Sequence, residues 1–211
     1  MLTASRQQPA RLYVGHFTHD RSVQPILTAY KNGVSYPVAG RDELTEAIPA
    51  LRGRFPSYAA FGGSQIENLF PRSDVAQATV LETYDFASSV AINNGNGTFT
   101  VRPLPPEAQI APVKAVLAGD FDGDGRTDLL LAGNELGVPP VFGPYDASYG
   151  LLLLGKADSG FEPIELPQDG LVLDGQVRHI KALRQAGGAR LIVVARNDGK
   201  LQVLRIAGPR P

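Results

Sequence analysis

Short apolar runs punctuated by turn residues organise most of this chain. Leu12-Tyr13-Val14 and Pro25-Ile26-Leu27-Thr28-Ala29-Tyr30 read as strands, with Lys31-Asn32-Gly33-Val34 as a hairpin turn, because Asn-Gly suits central residues that need positive φ. Ala78 to Tyr84, Ala87 to Ile92 and Thr98 to Val101 continue the strand pattern, the last two joined by the turn Asn93-Asn94-Gly95-Asn96-Gly97. Val113 to Ala118 and Leu129 to Ala132 follow, again at strand length.

Residues 41 to 70 break this pattern. Leu44, Ile48, Leu51 and Phe55 recur at helical spacing, with Asp42 and Glu43 placed for a first turn and Pro49 splitting or kinking the helix. A second helical segment is expected to carry Tyr58, Phe61, Gln65, Ile66 and Leu69 on one face, and Ser73-Asp74 to cap one further turn. The stretch 41–77 therefore reads as a helical insertion, either packed on the side of the β structure or offered to a partner.

An internal repeat runs through the rest. Ser88 through Asn134 corresponds to Ser148 through Asn197: Asn93 to Phe99 matches Leu154 to Phe161, Leu104-Pro105 matches Leu166-Pro167, and Leu130 to Asn134 matches Val193 to Asn197. The period of about sixty residues suits a four-stranded unit with decorated loops. Between the copies, the connection Glu135 to Ser148 holds Pro139, Pro140, Tyr145 and Asp146 and leads into Tyr149. One strand carries the chain away from the turn at 119–128, so this connection is expected at the opposite end. Tyr145, Asp146 and Tyr149 form a candidate ligand-binding loop, competing with a role in packing that loop down.

Composition supports a turn-rich β architecture: 23 glycines and 17 prolines in 211 residues, with 43% hydrophobic content and no cysteine. A formal net charge of -1, with both signs interspersed, leaves no electrostatic footprint for nucleic acid. No stretch is long and apolar enough to insert in a membrane, and Met1 to Arg11 lack an apolar core of signal-peptide length.

The clearest chemistry lies in Gly119-Asp120-Phe121-Asp122-Gly123-Asp124-Gly125-Arg126-Thr127-Asp128. Four aspartates crowded into a glycine-rich turn repel one another unless a cation sits among them. Oxygen-only donors select Ca2+ over zinc or copper. Asp120, Asp122, Asp124 and Asp128 would ligate through side chains and Arg126 through its main-chain carbonyl. The start resembles an EF-hand loop, but Leu131 stands where that motif needs a glutamate, and the flanks are strands rather than helices. The loop Gly15 to Gln24 aligns on the same turn without a gap. Gly15, Phe17 and Asp20 fall on Gly119, Phe121 and Asp124, while His16, Thr18 and Gln24 replace three ligands. It reads as a lost metal site, against a competing reading of His16, His19 and Asp20 as a transition-metal cluster. In the last copy of the repeat the turn is replaced by Arg184 to Arg190.

A strand ending in Gly119-Asp120-Phe121, followed by Asp122-Gly123-Asp124-Gly125-Arg126-Thr127-Asp128-Leu129, resembles the FG-GAP or VCBS repeat, the calcium-bearing blade of integrin-α-type β-propellers. More broadly, Ala87 to Asn134, Gly143 to Gly155 and Val193 to Asp198 are similar to the C-terminal portion of long bacterial VCBS-repeat proteins of the ASPIC/UnbV-associated type. The resemblance implies a mainly β fold: a partial or small β-propeller of about three blades, read as one domain with a degenerate blade at 12–40, the helical insertion at 41–77, the calcium-bearing blade at 78–134 and a final blade at 148–207.

It also implies an exported bacterial protein, extracellular, periplasmic or at the cell surface, where calcium is plentiful enough to fill weak sites. The functional expectation is a non-catalytic module for protein or carbohydrate binding and adhesion. Alternatives are a propeller-based polysaccharide lyase or hydrolase, or a segment that completes a larger propeller or a homo-oligomer. The chain contains no Gly-x-Ser-x-Gly elbow, His-Glu-x-x-His or P-loop, and only His16, His19 and His179 as imidazoles, His179 reading as an exposed strand residue.

Overall fold

The computed structural model describes residues 2–138, 143–164, 172–185 and 190–205. Pro139, Pro140, Leu166, Pro167 and residues 186–189 of the expected loops and repeat lie outside these. The described residues form thirteen strands in four antiparallel sheets, with five short α-helices and one 3-10 turn. The chain divides into two compact units, Met1–Phe86 and Ala87–Pro211.

In the first unit, β1 (Ala10–Gly15), β2 (Gln24–Lys31), β3 (Val34–Pro37) and β4 (Thr79–Thr83) form a sheet in the order β3-β2-β1-β4. Asn32 and Gly33, at φ 53° and 81°, make the expected hairpin turn. The helices α1 (Arg41–Ala47), α2 (Leu51–Arg54), α3 (Tyr58–Phe61), α4 (Ile66–Leu69) and α5 (Arg72–Gln77) fill the stretch between β3 and β4. Leu44, Ile48, Leu51 and Phe55 are all buried against Tyr13, Phe17 and Ile26 of the sheet side, so the predicted apolar face is spent on the unit's own core.

Pro49, which cannot donate to the preceding turn, separates α1 from α2. The second helical segment is not one helix. Gly62 and Gly63, the latter at φ 78°, break it into α3 and α4. Ile66 and Leu69 turn inward, while Tyr58 is exposed, hydrogen-bonded to Asp42 and under the Arg41 guanidinium. The last helix starts one residue before Ser73, after Pro71.

In the second unit, β5 (Ser89–Asn93) and β6 (Phe99–Pro103) form a hairpin. Then β7 (Val113–Gly119), β8 (Asp128–Gly133), β9 (Leu151–Gly155) and β10 (Phe161–Ile164) make a four-stranded meander, and β11 (Val177–Arg184), β12 (Arg190–Arg196) and β13 (Gln202–Arg205) a three-stranded one. The meander β7–β10 is covered on both faces. Leu130, Ala132 and Ala115 pack with Ile180, Ile192 and Val194 on one side, and Leu131 and Leu153 with Leu104, Ala108 and Val90 on the other. That is why Leu129-Leu130-Leu131 and Leu151-Leu152-Leu153-Leu154 are continuous apolar runs rather than alternating ones.

Sheet boundaries cut across the blades 78–134 and 148–207 that the resemblance implies. β4 pairs with β1, Leu81 opposite Leu12, and the hairpin β7–β8 shares a sheet with β9–β10 rather than with β5–β6. The repeat itself is visible in register. Asn93 opposes Phe99 as Gly155 opposes Phe161, and both hairpin turns carry an Asx bond, Thr98 N–H to Asn96 and Gly160 N–H to Asp158.

Candidate metal centre

The acidic loop joins β7 to β8, whose first residue, Asp128, opposes Gly119 at the last rung. From there the backbone winds inward on its own carboxylates. Asp120 Oδ1 accepts from the Gly123 N–H at 2.7 Å and its Oδ2 from the Gly125 N–H at 3.0 Å. Asp122 Oδ1 accepts from Asp124 N–H at 3.1 Å, and Asp124 Oδ1 from Arg126 N–H at 2.8 Å. Gly123 and Gly125 take φ 88° and 84°, left-handed values that bring these amides round without a Cβ penalty. The result gathers carboxylate oxygens of Asp120, Asp122 and Asp124 within 4.8 Å of one another. The Gly123 N–H, with Gly125 behind it, holds the Asp120 carboxyl below its ordinary pKa.

Asp128 has a different environment from the other three. It is fully buried, and its carboxylate accepts from Phe121 N–H at 2.7 Å and Gly155 N–H at 2.8 Å. It is not in the group of three. It fastens the loop to its own start and to the end of β9. Gly155 fits there because a Cβ at that position would lie 2.3 Å from the Thr127 carbonyl oxygen. Arg126, expected to contribute its carbonyl, uses its side chain as well: Nε donates to Gly155 O at 2.7 Å and Nη2 pairs with Asp124 Oδ2. Both attachments to β9 run over a sequence distance that no local pattern reveals.

Three exposed or half-exposed carboxylates converging on one point, with backbone amides already committed to their outer lone pairs, are the donor chemistry of a hard divalent cation.

The aligned loop between β1 and β2 has the same course and a different filling. Gln24, in place of Asp128, accepts from Thr18 N–H at 3.3 Å. Its Nε2 donates to Thr18 Oγ1 at 2.9 Å and to Ser22 Oγ. Asp20 accepts from the Thr18 hydroxyl and from Ser22. An amide NH2 and two hydroxyls cross-link this loop internally. His16 Nδ1 lies 2.8 Å from Ser22 O, while His19 Nε2 lies 3.1 Å from Asp74. His16, His19 and Asp20 do not form a ligand group; among the described residues only the aspartate trio does.

Tyr145, Asp146 and Tyr149 are exposed on the connection that leaves β8 at the end away from the acidic loop. Its start is latched by Glu135, paired through the main chain with Tyr145, and by Asn134 Nδ2 donating to Ser148 and Gly175 carbonyls. Sequence reading missed the Glu135 cluster, in which Lys114, Arg178 and Gln176 converge from β7, β11 and the residue before it. His179 is exposed on β11, as expected.

A family model described as an FG-GAP-like repeat matches residues 74–131, a span that ends just after the acidic loop. Comparison with curated proteins and with solved structures finds no match. Among the described residues no helix is long and apolar enough to cross a membrane.

Proposed function

We propose that the chain is a calcium-stabilised, non-catalytic β-propeller module that binds a protein or glycan in an exported bacterial protein. The observation that carries this reading is the convergence of Asp120, Asp122 and Asp124 within an FG-GAP-like repeat. Asp120, Asp122 and Asp124 would hold the ion, with Asp128 and the Arg126 carbonyl completing the set; each Asp128 oxygen has a second lone pair beyond the one its amide partner uses. Calcium would offset much of the carboxylates' mutual repulsion and lock the β7–β8 turn, a structural task with no chemical step. Export of the parent protein and kinship with VCBS-repeat proteins of the ASPIC/UnbV-associated type belong to the same reading, supported by the motif from Gly119 to Leu129. The test is thermal melting: EDTA is expected to lower the melting temperature and added calcium to restore it, and indifference to both would refute the reading.

A second reading, that the chain completes a larger propeller, is favoured by the β5–β6 hairpin. A two-stranded sheet is marginal by itself, and this one leaves Phe99 and Val101 exposed. Its repeat counterpart, β9–β10, continues into β8. Light scattering distinguishes the two, since a strictly monomeric chain at all concentrations speaks against assembly.

A further inference from the structure

Beside the acidic loop, where the ends of β7 and β11 approach, lies a cavity of about 220 Å³ lined by Leu117, Phe121, Leu183, Arg184, Arg190 and the Asp120 main chain. Arg184 and Arg190 stand directly opposite each other across the β11–β12 pair. Like charges so placed weaken a strand pair. Among the described residues neither arginine forms an ion pair. Arg190 Nη1 reaches only a main-chain oxygen, that of Asp120, at 3.3 Å.

We infer that this cavity is an anion site for one carboxylate group, carried by a ligand unit the size of a single sugar or amino-acid residue. Guanidinium forks match a carboxylate in two parallel hydrogen bonds, and a carboxylate between two of them turns their repulsion into a bridge. Leu117 and Phe121, which pack on the same face of β11–β12 as the arginines, offer apolar surface to the body of the ligand. Pockets for drug-sized molecules span roughly 300–1,000 Å³, so this one admits a single unit. Phosphate or sulfate would fill the polar end alone and leave the apolar wall bare.

Asp120 belongs to both the cavity lining and the acidic trio. A cation in the trio offsets part of its negative charge and so lowers its repulsion of an incoming carboxylate. Calcium and carboxylate should therefore strengthen each other's binding, reciprocally. This coupling rests on the calcium reading above; the arginine pair does not.

The experiment titrates the full chain with glucuronate and N-acetylaspartate, with glucose and N-acetylasparagine as neutral controls, by NMR in calcium and in EDTA. At least one acid is expected to bind while its neutral counterpart does not. Binding of glucuronate alone assigns the source to an acidic glycan, and of N-acetylaspartate alone to an acidic peptide. Arg184→Gln and Arg190→Gln should each weaken the acid by about tenfold, and Arg184→Lys by less, because it keeps the charge and loses the fork. Acids that bind no better than the neutral controls overturn the proposal. So do glutamine variants that melt normally and bind calcium more tightly without changing acid affinity, since the arginines would then merely neutralise the loop. Acid binding that ignores calcium keeps the site and removes only its coupling.

Discussion

Asp128 and Asp122 look alike in the sequence and should behave differently when changed. In Asp128→Asn the buried side chain keeps one acceptor oxygen for two N–H donors, those of Phe121 and Gly155, and its NH2 must face one of them. The expected cost is about 1–3 kcal/mol, read as a lower melting temperature even in EDTA. Asp122→Asn removes charge from an exposed carboxylate and keeps an oxygen to accept the Asp124 N–H, so it should abolish the calcium response and leave the EDTA melting temperature unlowered. Equal behaviour of the two variants in EDTA would contradict this division. Alternating aspartates and glycines made the loop legible, since ligand spacing and positive φ are local properties. What Asp128 does was not legible, because its partner Gly155 is 27 residues away.

At the scale of elements, strands were easier to read than their partners. The run Thr79–Thr83 was recognisable as a strand, yet its place beside β1 rather than beside β5 is settled by which edge is free, and no residue within the run encodes that. The second helical segment looked continuous because apolar spacing persists across Gly62-Gly63, whose conformational freedom outweighs the periodicity. Glu135 shows how distant elements are joined. Its carboxylate meets Arg178 of β11 at 3.3 Å and Lys114 of β7 at 3.1 Å, and accepts from Gln176 at 3.0 Å. Arg178 first, then Lys114, pull its pKa from 4.5 down to about 2.

A carboxyl whose folded pKa is depressed contributes stability that is fully present above its unfolded value and is lost as pH falls through the folded one. The wild-type chain should therefore lose stability between pH 4.5 and about 2 more steeply than Glu135→Gln, which should be the less stable of the two at pH 7. Parallel denaturant curves of the two proteins across that interval, or a variant as stable as wild type at neutral pH, would show that the cluster does not tie β7 to β11.

At the scale of the whole molecule, the period of about sixty residues and the division into two units pull in different directions. The repeat predicts units that begin at 88 and 148, whereas the four-stranded sheet runs from Val113 to Ile164. A sequence period fixes spacing along the chain but not where a sheet starts, because a strand at a repeat boundary can pair with either neighbour. The cores follow the sheets. One is built from residues 13 to 70, and the other two lie on opposite faces of β7–β10. Since the acidic loop is hinged between β7 and β8, and Asp128 ties it to β9, the proposed cation would act directly on the sheet between those two cores. Ligand binding slows amide exchange only in elements whose opening releases the ligand. Added calcium should therefore slow exchange across β7, β8 and β9 and through the strands packed on them, and leave β1–β3 and α1–α4 unchanged. Hydrogen-exchange mass spectrometry in calcium and in EDTA checks this peptide by peptide. Equal protection of residues 10–37 would mean that the loop stabilises the chain as one cooperative body rather than through the sheet that carries it.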